Sequence, residues 1–190
     1  VINIENVRNP VLIAEKLLKE EDRVLSGQEA GNYAVSKGFE SFSTETPERK
    51  NEFNLKLNNS KTGTVGCVAL DNKGHLAVAT STGGKGFEIP GRVSDSATVA
   101  GNYANLKCAI SCTGVGEDIV NGAIASKIVT RVTDGQNIQS AFSKTFHELN
   151  EINGFAGAIG IDSKGNIYWE ESHPKIVFAA YDGTDLTLFE

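Results

Sequence analysis

Thr64 stands in the run TGTVGCVALD, residues 62–71. Gly63 puts no side chain beside the Gly63–Thr64 peptide bond, so the Thr64 hydroxyl can attack that bond at close range. Breaking it would leave Thr64 with a free amine. A threonine at a chain start carries a hydroxyl nucleophile and a general base on one residue, which activates a weak hydroxyl without a separate His or Asp. Taken alone, GTVG fits equally well a turn that opens a β-strand. The residues downstream decide between the two.

In order after Thr64 come TSTGG at 80–84, GRVSDS at 91–96, AGNYAN at 100–105 and SCTGVGED at 111–118. Together they resemble the catalytic subunit of the plant-type asparaginase and isoaspartyl peptidase family, the threonine N-terminal nucleophile hydrolases. The resemblance is specific from Thr64 to about Asp118 and looser to the C-terminus. A weaker likeness covers residues 7–40, where VRNPVLIA and VLSGQEAGNYAVSKG look like the end of that family's N-terminal subunit.

The resemblance implies roles. Cleavage falls between Gly63 and Thr64, and Thr82 bonds to the Thr64 amine or hydroxyl and tunes its proton transfer. Thr113 and Gly114 form the oxyanion hole, one through its hydroxyl and the other through its backbone N–H. Arg92 grips a substrate α-carboxylate with two parallel bonds, Asp95 pairs with the α-ammonium, and the Gly116 carbonyl helps Asp95. Such a clamp selects an aspartyl head group with both α groups free. The residues alone leave plainer readings open. Thr82 also reads as a strand-end threonine bonded to backbone, TGVG as the cap of a helix over 115–134, and Arg92 with Asp95 as a surface i, i+3 ion pair.

For the whole protein the resemblance implies an α+β fold of the four-layer αββα type. Residues 1–63 would be the C-terminal part of the alpha subunit with an exposed linker, and 64–190 the beta subunit, together one domain. Expected partners are a small-molecule or dipeptide substrate, the chain's own cleaved N-terminal piece, and a second copy in a homodimer of such two-piece units. Catalysis needs no cofactor. A structural alkali ion, Na or K, held by backbone carbonyls near a loop like VRNPVLIA, is left open. The family's N-terminal subunit runs well upstream of Val1, and the chain contains no methionine, so sequence upstream of Val1 is expected. Two rivals stand beside an isoaspartyl peptidase or asparaginase. One is a glycosylasparaginase, whose relatives tend to have Asn where Gly84 stands; the other is a noncatalytic relative that keeps the fold.

Composition narrows the field. The chain has 190 residues, 39% hydrophobic and 22% charged, enough for one domain with a core. A net charge of −6 argues against a phosphate backbone or an anionic membrane as partner. No apolar run approaches the roughly 20 residues of a membrane span, and no leader pattern opens the chain, which predicts a soluble protein. Cys108 and Cys112 on one strand would lie about 13 Å apart, too far for a disulfide, so Cys67, Cys108 and Cys112 read as reduced and buried, which points to a cytoplasmic address. His75, His147 and His173 lack metal spacing. GGKG at 83–86 lacks the spacing of a phosphate loop.

The elements that must carry these residues follow from patterning. Pro10 suits the first turn of a helix whose apolar face is Val11, Leu12, Ala14, Leu17 and Leu18. A second helix runs from a Ser26 cap, with Glu29 returning the bond, to Gly38. Residues 41–63 read as an exposed linker. A hairpin follows over 65–79, turning at Asp71–Gly74, then a strand at 107–112. Two helices come next, with apolar faces Ile119–Val132 and Ile138–Ile152. Another hairpin turns at Asp162–Gly165, and strands at 176–181 and 185–189 close the chain.

Overall fold

A computed structural model describes residues 1–55, 63–173 and 176–189, apart from the side chains of residues 52 and 54. The chain forms two compact units: Val1–Gly63 with Ser81–Val93, and Thr64–Thr80 with Ser94–Glu190.

In the first unit, α1 (Pro10–Leu17) begins with Pro10 in its first turn and buries Ile13 and Leu17. α2 (Gly27–Ser36) buries Ala30 and Ala34. The Ser26 hydroxyl makes no capping bond; the helix entry is fixed instead by Gly27 N–H donating to the Ile2 carbonyl at 2.9 Å. Within the stretch expected to be a linker, α3 (Pro47–Leu55) is a helix. Its start is local chemistry: Pro47 presets the first turn, and Arg49 N–H donates to Thr46 Oγ1 at 3.3 Å. The rest of that linker up to residue 62 lies outside the described residues.

The second unit is built on a four-stranded antiparallel sheet in the order β3 (Asn102–Ala104), β4 (Cys108–Gly114), β5 (Ala156–Asp162), β6 (Ile167–Glu171). Register pairs Cys108 with Asp162 and Gly114 with Ala156. Side chains alternate across the sheet. On one face Cys108, Ile110, Cys112, Ala156 and Ala158 join the main core. Against that face lie α4 (Gly116–Gly122), α5 (Ile124–Thr133) and α6 (Ile138–Glu151).

Helix α6 buries Ile138, Ala141, Phe142, Thr145, Phe146 and Leu149, an i, i+3, i+4 stripe. Its Asn137 cap accepts from Ser140 N–H at 2.8 Å. The fully buried Phe142 ring meets Tyr168 edge-on at 5.2 Å, and truncating it to alanine should cost about 3–5 kcal/mol. The single helix expected over 115–134 is two helices. Ala123 adopts a left-handed backbone, φ 50°, and Ala125 N–H donates to the Ala100 carbonyl at 2.8 Å, tying the start of α5 to the loop before β3.

On the other face of the sheet sit two hairpins. β1 (Val65–Leu70) and β2 (Leu76–Ser81) pair as one, and β1 runs so close to β4 that a side chain at Gly66 would strike Ser111 Oγ. β7 (Phe178–Tyr181) pairs with β8 (Leu186–Phe189), and Trp169 packs on Phe178 and Phe189 with ring centres 5.0 and 4.4 Å away. The architecture is therefore mixed helix and antiparallel sheet, an α+β fold. Among the described residues no helix is long and apolar enough to cross a membrane.

Candidate functional site

Thr64 is the residue immediately before β1. It lines a cavity of about 260 Å³ together with Ser111 and Thr113 of β4, Gly157 of β5, and Ile176 and Phe178 ahead of and on β7. Alternation along β4 explains the grouping. Cys108, Ile110 and Cys112 point to the helices, so Ser111 and Thr113 point to the hairpin side where Thr64 enters. Ser111 Oγ and Thr80 Oγ1 are 2.9 Å apart, which ties β4 to β2 beneath the cavity.

The end of β4 is braced from two sides. Val115 N–H donates to the Phe155 carbonyl at 3.0 Å, and Phe155 N–H donates to Asp118 Oδ2 at 2.9 Å. Thr113 and Gly114 are thereby held at a fixed strand end. Thr64, Ser111 and Thr113 line the same cavity, and hydroxyl side chains are groups of the kind that acyl transfer uses as nucleophile and donors.

Asp95 opens a short 3-10 turn, Asp95–Ala97, and is buried. Ser94 Oγ donates to its Oδ1 at 2.9 Å. Gly116, the first residue of α4, lies directly against it. A Cβ there would run into Ser94 Oγ and come within 2.7 Å of Asp95 Oδ1, so a close approach requires glycine at this position. The Cys112 thiol is pushed up, first by complete burial and then by the nearby Asp95 charge. Burial, with Asp162 next, likewise raises the Cys108 thiol to about 12. Both are buried free thiols, whereas Cys67, expected to be buried, is exposed on β1, because the strand's odd positions face outward.

Thr82 and Arg92 belong to the first unit. Thr82 Oγ1 accepts from Gly84 N–H at 3.2 Å. Arg92 Nη1 lies 3.5 Å from Glu88 Oε1, with both side chains largely buried. Sequence reasoning passed over Glu88, Ser94 and Ser111. Ser94 and Ser111 lay inside quoted motifs, but their partners, Asp95 Oδ1 and Thr80, are fixed only by the fold. No group of three or more His, Cys, Asp or Glu side chains suited to a metal ion occurs among the described residues. His75 Nδ1 sits 2.9 Å from Asp71 Oδ2 in the β1–β2 turn, and His173 stacks on Phe155.

Thr64, immediately before β1, thus shares one cavity with Ser111 and Thr113 of β4 in an α+β fold. The chain belongs to the asparaginase family: the family model described as Asparaginase matches residues 44–189. It is 42% identical over 203 residues to an isoaspartyl peptidase/L-asparaginase of Nostoc sp., covering 96% of this chain and 64% of the relative. It is 36% identical over 191 residues to the isoaspartyl peptidase of Escherichia coli, covering 88% and 59%. With a plant-type L-asparaginase of Thermococcus kodakarensis it shares 30% identity over 212 residues, covering 97% and 69%. The chain thus spans about three fifths of the length of the first of these relatives.

Proposed function

We propose that the protein carrying this chain cuts itself between Gly63 and Thr64 and then hydrolyses β-aspartyl peptides and L-asparagine through the freed Thr64. The observation that carries the reading is that Thr64 and Thr113 face one cavity. In the first step the Thr64 amine takes the proton of its own hydroxyl, and the oxygen attacks the substrate's β-carbonyl. The Thr113 hydroxyl and Gly114 N–H stabilise the oxyanion by about 3–4 kcal/mol. The amine or ammonia leaves with the proton, and water then hydrolyses the aspartyl ester on Thr64. Arg92 holds the α-carboxylate, Asp95 with the Gly116 carbonyl holds the α-ammonium, and Thr82 adjusts the proton transfer at Thr64. The close contact of Gly116 with the buried Asp95 supports that pairing. The names of the relatives, isoaspartyl peptidase and L-asparaginase, agree with the substrate class.

The finer fold is proposed as the four-layer αββα sandwich. Its support is the outward face of the hairpin layer, where Val65, Val177, Tyr181, Leu186 and Leu188 are exposed, an apolar surface suited to a further helical layer. Cleaved pieces that stay together, and pairing of two such units, belong to the same proposal. A structural sodium or potassium ion takes no part in the chemistry. In residues 7–14 the carbonyls from Pro10 onward lie within α1, which leaves only the residues before it to offer oxygens.

The test is incubation of the full-length protein at neutral pH, with intact mass and N-terminal sequencing, then turnover of β-aspartyl-leucine, α-aspartyl-leucine and asparagine. The expected result is a fragment beginning TVGCVALD and a preference for the β-linked dipeptide by about two to three orders of magnitude. The α-linked one has no free α-carboxylate for Arg92, so the two charge-assisted bonds of the grip, about 1.5–3 kcal/mol each, are not made. Equal rates for the two dipeptides would remove the head-group clamp.

A further inference from the structure

We propose that Glu88 is a built-in occupant of the carboxylate position on Arg92, one that a substrate must displace, and that it thereby sets the affinity for aspartyl compounds. The inference rests on the reading of Arg92 as the α-carboxylate grip.

Residues 82–92 fold back on themselves within the first unit. Glu88 Oε1 accepts from Lys85 N–H at 3.3 Å and lies 3.5 Å from Arg92 Nη1. The carboxyl group rests on the Cα of Gly84, which has φ +83°; a Cβ there would collide with Glu88 Oε1 and lie 3.0 Å from its Cδ. Gly84 is in turn bonded through its N–H to Thr82. One acidic side chain is therefore seated between two proposed site residues, on a glycine that makes the seat.

The seat is imperfect. Glu88 Oε2 is buried and has no hydrogen-bond partner, and the contact to Arg92 is a single one at the long end of hydrogen-bond range. Arg92 and Glu88 side chains are only 15% and 20% exposed, so water compensates little. A buried carboxylate oxygen without a donor is costly, and a guanidinium is built to offer two parallel bonds to one carboxylate. An incoming α-carboxylate meets the Glu88 carboxyl already beside Arg92 Nη1. It must still expel Glu88 or bind beside a like charge, and either way the apparent affinity is lowered. Removing the Glu88 charge should therefore tighten binding.

The experiment uses the full-length, processed protein as wild type, Glu88→Gln and Glu88→Leu. L-aspartate, which carries the head group, is titrated by calorimetry, and KM is measured for β-aspartyl-leucine. Both variants are expected to lower the aspartate Kd, and the KM with it, about three- to tenfold. A role for Glu88 in merely shaping the loop would weaken binding in the variants, the opposite sign. Unchanged or weaker aspartate binding in either folded variant, or no aspartate binding by any of the three proteins, would overturn the proposal. Wild-type protein that binds aspartate but turns over neither β-aspartyl-leucine nor asparagine would refute the hydrolase reading, while the Kd ratio would still judge Glu88.

Discussion

Replacing Gly116 by alanine displaces Asp95 without touching its charge. The new Cβ would stand 2.7 Å from Asp95 Oδ1, where ordinary contact begins at 3.4 Å, and would also overlap Ser94 Oγ. Ser94 Oγ holds Oδ1 at 2.9 Å, so the two side chains cannot retreat independently, and the carboxylate must withdraw by about 0.7 Å. On stability two effects oppose each other. Alanine in a helix gains up to about 1 kcal/mol over glycine, whereas overpacking costs about 1–3 kcal/mol. The net is a loss of roughly 0–3 kcal/mol, several degrees in Tm at most. On function the scale is larger, because misplacing a positioning group by 1 Å costs roughly a hundredfold. A ten- to hundredfold fall in kcat/KM for β-aspartyl-leucine is expected, about 1.4–2.7 kcal/mol. The matched assay uses the same dipeptide acetylated on its α-amine, which has no ammonium for Asp95 and so should separate variant from wild type by little. A folded Gly116→Ala protein that keeps kcat/KM for the free dipeptide within twofold of wild type would refute the assignment of Asp95 to the ammonium.

Thr64→Ala should abolish both self-cleavage and hydrolysis, and Thr82→Ala should slow both with the fold intact, as read by intact mass and dipeptide turnover. In the native protein a thiol reagent should label Cys67 and leave Cys108 and Cys112 unreacted until denaturant is added, because both of those thiols are buried with raised pKa; rapid native labelling at either buried position would contradict the packing of β4. Glu170 is held above its ordinary value of 4.5 by burial, against the opposing hydrogen bond from Ser143. Its protonated form is the one the fold favours, so its contribution is fully present below pH 4.5 and is lost as pH rises through the folded pKa. Glu170→Gln should therefore be more stable than wild type at neutral pH, and urea titrations should show that advantage vanish below about pH 4.

The site was legible in the sequence where its residues are adjacent in the chain or fall on one periodic element. Thr113 and Ser111 share a face because strand alternation is set by the backbone, and the helix stripes Ile124–Val129 and Ile138–Leu149 follow from 3.6-residue spacing. Two of the misreadings arose where a distant contact overrode a local pattern. Apolar spacing runs unbroken across Ala123, yet the tie of Ala125 to the Ala100 carbonyl fixes a left-handed residue there and turns the chain. In the exposed stretch 41–63 the cause is local: Thr46 and Pro47 are an ordinary helix start that polar composition averages away. The Ser26 cap failed because a parallel bridge between Ile2 and Ser26 already orders the helix entry.

Glu88 shows the sharper limit. In a string of letters it is one acidic residue in a glycine-rich loop, four positions before an arginine, and nothing marks it off from a solvated surface pair. What distinguishes it is the space above Gly84, the burial of Oε2 and the long contact to Arg92, and each depends on the loop folding back on itself. Motif reading finds the groups that do the chemistry because those groups share a fixed chemical requirement. It does not find the groups that compete with substrate, since many side chains could fill that role, and only the packing of the loop decides which one does.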